Sequence, residues 1–239
     1  MAIQTRTVDY THAGTLLEGF FAYDDRRVQP LPAVLIAHAW VGRDEFVCDK
    51  ARRLAEWGYA ALALDMYGKG VLGGSAEENA RLMQPFLDDR RFLQSRMVAA
   101  LDTLASLPEV DGRRIAAIGF CFGGLCVLDL ARTGAQLRGV ASFHGLFTPP
   151  GDGPQNKIKA KVLVLHGHDD PMAPPTEALA LARELTEAGA DWQIHLYGHT
   201  LHAFTNPRAN DRAFGTVYDE TADRRAWQSL RNFLAEVLN

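Results

Sequence analysis

The chain has 239 residues, of which 47% are hydrophobic and 23% are charged, and its formal net charge is −4 at pH 7. This length suits one α/β domain with a large core. The mildly acidic balance without a basic cluster argues against a nucleic-acid partner, and no apolar run is long enough to span a membrane.

Cysteine usage and the amino terminus predict a reduced, cytoplasmic protein. The three cysteines are an odd number without the spacing of a disulfide framework. Residues 1–6 lack the apolar stretch of a signal peptide.

The first part of the chain predicts a hairpin and then two buried strands. Polar and apolar residues alternate over 5–23, with a turn signal at 12–14. The apolar runs 33–37 and 59–64 are typical of parallel strands, and the apolar positions between 47 and 55 have helical spacing.

The remaining chain continues the alternation of strands and helices. Strands are predicted at 115–118, 139–143, 162–165 and 192–197. Helices are predicted at 75–85, 93–104, 125–130, 176–189 and from 220 onward. Loops are predicted at 148–155 and 198–213. Ser75 and Glu78 have the spacing of a capping box. The predicted fold class is α/β, a single domain over 1–239. Its mostly parallel twisted sheet has about eight strands, an N-terminal hairpin and helices on both faces.

The stretch 119–124, Gly-Phe-Cys-Phe-Gly-Gly, joins a predicted strand to a predicted helix. It has the form of a nucleophile elbow with cysteine in place of serine. The backbone of such a turn is strained, and the small residues Gly119 and Gly123 allow neighbouring chains to approach. A helix that begins just after Cys121 would favour the thiolate. On these six residues alone, a buried structural cysteine is about as good an interpretation.

Chemically capable side chains follow several predicted strands, and the carboxyl ends of parallel strands meet at one edge of a sheet. They are Trp40, Asp65, Cys121, His144, Asp169, Asp170, His199 and His202. Their order of nucleophile, acid and histidine is that of the α/β-hydrolase triad.

Other interpretations of these side chains are weaker. Asp65 is an alternative acid, and His38, His144 and His166 are more simply structural. A metal site of His199, His202 and Asp169 lacks helical H-x-x-x-H spacing and leaves the elbow cysteine unexplained, so no metal is predicted.

The chain resembles the dienelactone hydrolase (carboxymethylenebutenolidase) family over nearly its whole length. The matching segments are 58–67, the elbow 119–124, the acid loop 167–174 and the stretch His202-Ala203-Phe204. The resemblance implies the α/β-hydrolase fold, Asp170 rather than Asp169 as the acid, and His202 rather than His199 as the base.

Roles for these residues follow from the chemistry of acyl transfer. Cys121 attacks an ester or lactone carbonyl, His202 moves the proton and later activates water, and Asp170 orients the imidazole. The backbone N–H groups of Phe122 and Trp40 are the predicted oxyanion hole.

The chain departs from the founding members of this family at two places. Their glutamate beside the thiol is replaced by Ala39, so the thiol is activated by His202 alone unless Asp44 or Glu45 substitutes. Their substrate-binding arginine, four residues past the histidine, is Asn206 here, with Arg208 nearby. A second arginine could be Arg81, Arg90 or Arg91.

The sequence therefore predicts a cofactor-free hydrolase of small esters or enol-lactones that forms an acyl-cysteine intermediate. The expected partner is a small-molecule substrate, with no nucleic acid or membrane, and the expected state is a monomer or small homo-oligomer. The short connections between strands predict an open cleft without a large lid. The alternatives are a thiol-based redox sensor or binding protein on the same fold, and a thioesterase or acyltransferase.

Overall fold

The computed structural model of the protein describes residues 3–28, 30–151 and 157–238. The loop predicted at 148–155 lies partly outside these ranges.

An eight-stranded sheet forms the centre of the described structure. Its strands are β1 (Ile3–His12), β2 (Thr15–Asp24), β3 (Leu31–Ala37), β4 (Ala60–Ala63), β5 (Val110–Phe120), β6 (Gly139–Phe143), β7 (Lys161–Gly167) and β8 (Trp192–Tyr197). They lie in the order β1-β2-β4-β3-β5-β6-β7-β8. The first two strands form the antiparallel hairpin, and every pair from β4 to β8 is parallel. The predicted α/β class, with a mostly parallel sheet of about eight strands, is confirmed.

Helices cover both faces of this sheet. They are α1 (Glu45–Glu56), α2 (Ala76–Asp88), α3 (Arg90–Ala105), α4 (Phe122–Arg132), α5 (Pro175–Glu187) and α6 (Glu220–Leu238). Alternate residues of β3 point to opposite sides: Leu35 packs in the core under α2 to α5, whereas Ile36 packs in the core under α1 and α6. In the described part of the chain, no helix combines the length and apolar character needed to cross a membrane.

Three predicted elements differ from the structure, the first being β5, which begins at Val110, five residues earlier than predicted. Helix α2 does not end at Pro85 but continues to Asp88, because proline removes only its own N–H and the N–H of Asp89 still reaches the Pro85 carbonyl. The predicted loop 198–213 contains the strand β9 (Asn210–Asp211), which pairs with β10 (Thr216–Val217). Two-residue strands are too short to leave a periodic signal in the sequence.

The backbones of β3, β5 and α4 meet closely beneath the elbow. A Cβ atom on Gly119 would lie 2.0 Å from the carbonyl oxygen of Gly123, and a Cβ atom on Gly123 would lie 2.2 Å from the carbonyl oxygen of Ala37. Both contacts are with backbone atoms, so neither can be relieved by a side-chain rotation. This explains why the elbow needs glycine at both positions.

We expect Gly123→Ala to lower the free energy of unfolding by about 3 kcal/mol or more, because strand and helix must separate to admit the methyl group. Gly198→Ala is the matched control, since its Cβ would meet no atom within 4 Å, and it should change stability by less than about 0.5 kcal/mol. Urea unfolding followed by circular dichroism measures both. Equal stability of the two variants would show that the close approach does not constrain the elbow.

Candidate active site

Cys121 occupies the turn between β5 and α4 with an unusual backbone conformation. Its φ is 55° and its ψ is −117°, a combination that non-glycine residues rarely adopt and that is typical of strained functional turns. The turn is fixed on both sides, because the N–H of Cys121 donates to the carbonyl of Phe143 at 3.0 Å and its carbonyl accepts from Gly124 at 2.9 Å. The half-buried side chain lines a cavity at the carboxyl ends of the strands.

His202 and Asp170 are buried and in direct contact. The Nδ1 atom of His202 lies 2.7 Å from one carboxylate oxygen of Asp170, and the other oxygen accepts from the N–H of Met172 at 2.8 Å. The small β9–β10 ladder positions the histidine: its N–H donates to Gly215, and its carbonyl accepts from Val217. His202 lines the same cavity as Cys121.

The charges around His202 favour its protonated form. Burial lowers the pKa of the imidazole, but the negative charge of a Cys121 thiolate and the Asp170 hydrogen bond outweigh this effect and raise the pKa to about 10. The Nε2 atom is buried without a hydrogen bond of ordinary geometry to the described residues, so the influence of the sulfur is mainly that of its charge. The surroundings therefore stabilise the imidazolium form of His202.

The alternative acids and bases lie elsewhere. Asp169 is exposed and pairs with His168 at 2.8 Å, and His199 is also exposed. His202 is turned toward Asp170 instead, so the metal-binding alternative is not assembled. Among the described residues, no group of three His, Cys, Asp or Glu side chains could hold a metal ion.

The buried carboxylate of Asp65 has a structural role. It accepts backbone N–H groups from Glu18, Tyr67 and Gly68 at 2.9 to 3.1 Å. These bonds join the end of β4 to the turn that follows it and to β2.

The predicted oxyanion donors are the N–H groups of Phe122, the first residue of α4, and of Trp40, in the turn after β3. Neither N–H has a hydrogen-bond acceptor among the described residues. The Trp40 turn is closed by a bond from Gly42 to Ala39 at 3.2 Å, and the Tyr67 hydroxyl donates to the Trp40 carbonyl at 3.0 Å. An unpaired N–H at each place is what an oxyanion hole requires, and both assignments stay predictions.

Two buried histidines support this region in neutral form. In His38, Nε2 accepts from Met66 N–H at 3.1 Å, which leaves Nδ1–H to donate to the Ala39 carbonyl at 2.6 Å. In His144, Nε2 lies 2.9 Å from the Thr205 hydroxyl, and the ring meets the edge of the His202 ring. Burial lowers the pKa of both rings. The sequence pointed to structural roles for both histidines but not to the partners that hold them.

The cavity itself is small and largely apolar, with a volume of about 210 Å³. Its lining comprises Ala39, Trp40, Val41, Asp44, Phe46, Met83, Phe120, Cys121, His144, Leu146, Met172, His202, Ala203, Asn206, Phe214 and Thr216. Several of these residues lie on loops or on α2, far apart in sequence and without a shared motif, so sequence reasoning missed them.

The two departures from the family pattern are visible here. Ala39 lines the cavity where founding members carry glutamate. None of the candidate arginines lines it: Arg90 forms a two-bond ion pair with Asp129, and Arg208 lies 3.7 Å from the carboxylate of Asp44 at the surface. Of the two substitute carboxylates, Asp44 lines the cavity, whereas Glu45 is exposed and pairs with Arg52.

A mostly parallel sheet with a strained elbow after its fifth strand, flanked by a buried histidine–aspartate pair, defines an α/β-hydrolase. The family model described as "Dienelactone hydrolase family" matches residues 17–238. The chain therefore belongs to the dienelactone hydrolase family, and it is an enzyme that acts as a hydrolase.

Individual relatives agree with this membership. A dienelactone hydrolase-like promiscuous phosphotriesterase from metagenomic libraries is 39% identical, covers 100% of both chains and superposes with a TM-score of 0.94. A solved structure called m3DLH is 36% identical over 100% of both chains, with a TM-score of 0.96. A putative carboxymethylenebutenolidase of Aquifex aeolicus is 26% identical over 87% of this chain and 89% of its own length.

We expect Asp170→Asn to lower the pKa of His202 from about 10 toward the ordinary histidine value near 6.5, because the variant removes the negative charge that favours the imidazolium. As the pH rises, the His202 ring of the variant would then lose its proton at a lower pH than the ring of the wild type. NMR titration of the His202 ring measures this shift directly. Asp169→Asn, one residue earlier and exposed, is the matched control and should leave the titration in place; an unmoved titration in Asp170→Asn would contradict the assigned pair.

Proposed function

We propose that this protein hydrolyses small carboxylic esters and enol-lactones through Cys121, His202 and Asp170, with an acyl-cysteine intermediate. The observation that carries the proposal is the meeting, in one small cavity, of a cysteine on a strained elbow and a buried imidazole whose pKa is raised to about 10.

In the first half of the reaction, the Cys121 thiolate attacks the carbonyl carbon, and the carbonyl electron pair moves to oxygen. The N–H groups of Phe122 and Trp40 stabilise this oxyanion, and each such donor is worth roughly 2.7–4 kcal/mol in the transition state. When the carbonyl re-forms, the bond to the alkoxide breaks, and His202 gives it the proton from Nε2.

In the second half, neutral His202 removes a proton from water as the water attacks the thioester carbon. The second tetrahedral intermediate collapses to a carboxylic acid and the Cys121 thiolate, and His202 again carries a proton. Asp170 holds Nδ1 throughout, which keeps Nε2 directed at the reacting groups.

The redox-sensor alternative explains fewer features of the site than acyl transfer does. A peroxide-reactive thiolate would require an exposed cysteine with a nearby positive charge. It would not require the Asp170 contact, two unpaired amides or a cavity of about 210 Å³. The combination favours acyl transfer.

A second reaction, phosphotriester hydrolysis, is favoured by the full-length neighbour that is 39% identical. In this reaction, the thiolate would attack phosphorus, the leaving aryl oxide would take the proton from His202, and water would then release the phosphorus group from sulfur. Phosphotriesters are uncharged, and the largely apolar cavity suits them.

The test of the proposed function is hydrolysis of a small activated aryl ester by the wild type, Cys121→Ala and Cys48→Ala. We expect a burst of phenolate followed by steady turnover in the wild type and in Cys48→Ala, whose thiol is buried. Activity should fall to background in Cys121→Ala. Activity that survives in Cys121→Ala would show that Cys121 is not the nucleophile. Product analysis with an added alcohol acceptor distinguishes hydrolysis from acyl transfer to that alcohol.

We also expect Asp170→Asn to reduce kcat by roughly 10²–10⁴, because the imidazole loses its orienting partner. The same assay with Asp169→Asn should show wild-type turnover. If Asp170→Asn raised KM and left kcat unchanged, Asp170 would act in substrate binding rather than in proton transfer.

For the phosphotriester reaction, we expect turnover of a dialkyl aryl phosphate that is lost in Cys121→Ala and kept in Cys48→Ala. Turnover of carboxylic esters without any release of phenolate from the phosphate would reject this second activity alone.

A further inference from the structure

A single carboxylate lies among the apolar walls of the active-site cavity. Apart from Cys121 and the two histidines, Asp44 is the only ionisable side chain among the described residues that line it. Most of the other lining groups are aromatic or aliphatic, including Trp40, Phe46 and Phe214. No lysine or arginine lines the described cavity.

Asp44 lies at the amino terminus of α1, with its carboxylate at the cavity. It is the N-cap residue of α1. Its side chain makes no capping hydrogen bond of ordinary geometry, although the N–H groups of Phe46 and Val47 in the first turn are near enough to lower its pKa. Its one ion-pair partner among the described residues is Arg208, at 3.7 Å, whose side chain is 72% exposed. The carboxylate is only partly buried and lines the cavity, so it can act on what enters it.

The environment of Asp44 strengthens its electrostatic effect. Burial raises the pKa of this carboxyl, and nearby backbone N–H groups and Arg208 oppose that rise. Partial burial lowers the local dielectric response, so a charge here acts more strongly on a neighbouring charge than it would in water. The loop cation Arg208 is largely in solvent and screens it only weakly.

We propose that Asp44 sets the charge selectivity of the active site, so that the cavity accepts esters with uncharged acyl groups and rejects those that carry a carboxylate. This inference rests on the proposed function and narrows its substrate class. An anionic acyl group would lie in the same small cavity as Asp44, and no lysine or arginine lines the described cavity to bind it. A neutral acyl chain meets only apolar walls and gains from burial.

The test compares two esters of the same shape at about pH 8, well above the ordinary range of carboxyl groups. They are para-nitrophenyl pentanoate and the mono-para-nitrophenyl ester of glutaric acid, which differ mainly by a terminal methyl or carboxylate. The readout is the ratio of kcat/KM for the anionic ester to that for the neutral ester. We expect a low ratio in the wild type and a ratio about tenfold higher in Asp44→Asn, a change of the size that one charge across a partly buried cavity produces.

Three controls make the result specific. Glu45→Gln removes an exposed carboxylate one residue further along and should leave the ratio unchanged. Asp44→Ser, which keeps a residue type that is favoured at helix N-caps, should repeat the effect of Asp44→Asn. The wild-type ratio should rise with ionic strength more than that of Asp44→Asn, because salt screens the repulsion.

A double variant, Asp44→Asn with Arg208→Gln, tests the rival explanation that freed Arg208 binds the substrate carboxylate. We expect the double variant to keep the gain in the ratio. If the gain disappears, or if Asp44→Asn and Asp44→Ser leave the ratio unchanged while the neutral ester is hydrolysed, the selectivity proposal is wrong. Absence of hydrolysis of the neutral ester by the wild type would instead reject the proposed function.

Discussion

The close contact of three backbone segments beneath Cys121 is the constraint on which the site depends. Gly119 and Gly123 allow the end of β5, the start of α4 and the end of β3 to approach within distances that a Cβ atom would forbid. The chain between them must then turn sharply, which holds Cys121 at φ 55°. A strained conformation persists only where surrounding structure enforces it, and here the hydrophobic cores on both faces of the sheet do so.

This geometry places Cys121 at the start of a helix and in the same cavity as His202. The first turn of α4 follows immediately, and the positive end of its dipole favours negative charge at this position. The imidazolium of His202 and the buried carboxylate of Asp170 continue a row of alternating charge away from the sulfur. Ala39 lines the cavity with a methyl group, so the turn after β3 places no carboxylate at this position. Asp44 contributes the one carboxylate among the described residues that line the cavity.

Most of the architecture was predictable because its signals are local. The apolar runs predicted the boundaries of β3, β6 and β8 to within about two residues. The alternation of these runs with helical segments indicated a parallel sheet. The elbow could be recognised in the sequence because steric crowding restricts which residue types fit at positions 119–124. Asp170 and His202 were chosen by resemblance rather than by spacing, and in the structure they are in contact while Asp169 and His199 are exposed.

Other features could not be read from the sequence because they depend on long-range contacts. The engagement of Arg90 with Asp129, 39 residues away, removes it from the substrate site. The β9–β10 ladder, whose strand β10 is bonded to the backbone of His202, is too short for periodicity. The walls of the cavity come from segments as distant as Met83 and Phe214. Which side chain faces a cavity is decided by tertiary packing, which local patterns do not encode.

The proposed mechanism requires transfer of an acyl group to the sulfur of Cys121. The most direct measurement is mass spectrometry of the wild-type protein after acid quenching during the burst with an activated aryl acetate, followed by peptide mapping. We expect one acetyl group per chain, located on the peptide that contains Cys121 and removed by neutral hydroxylamine, as expected for a thioester. Turnover with no acetyl group on Cys121, or with the acetyl group on another residue, would rule out Cys121 as the nucleophile.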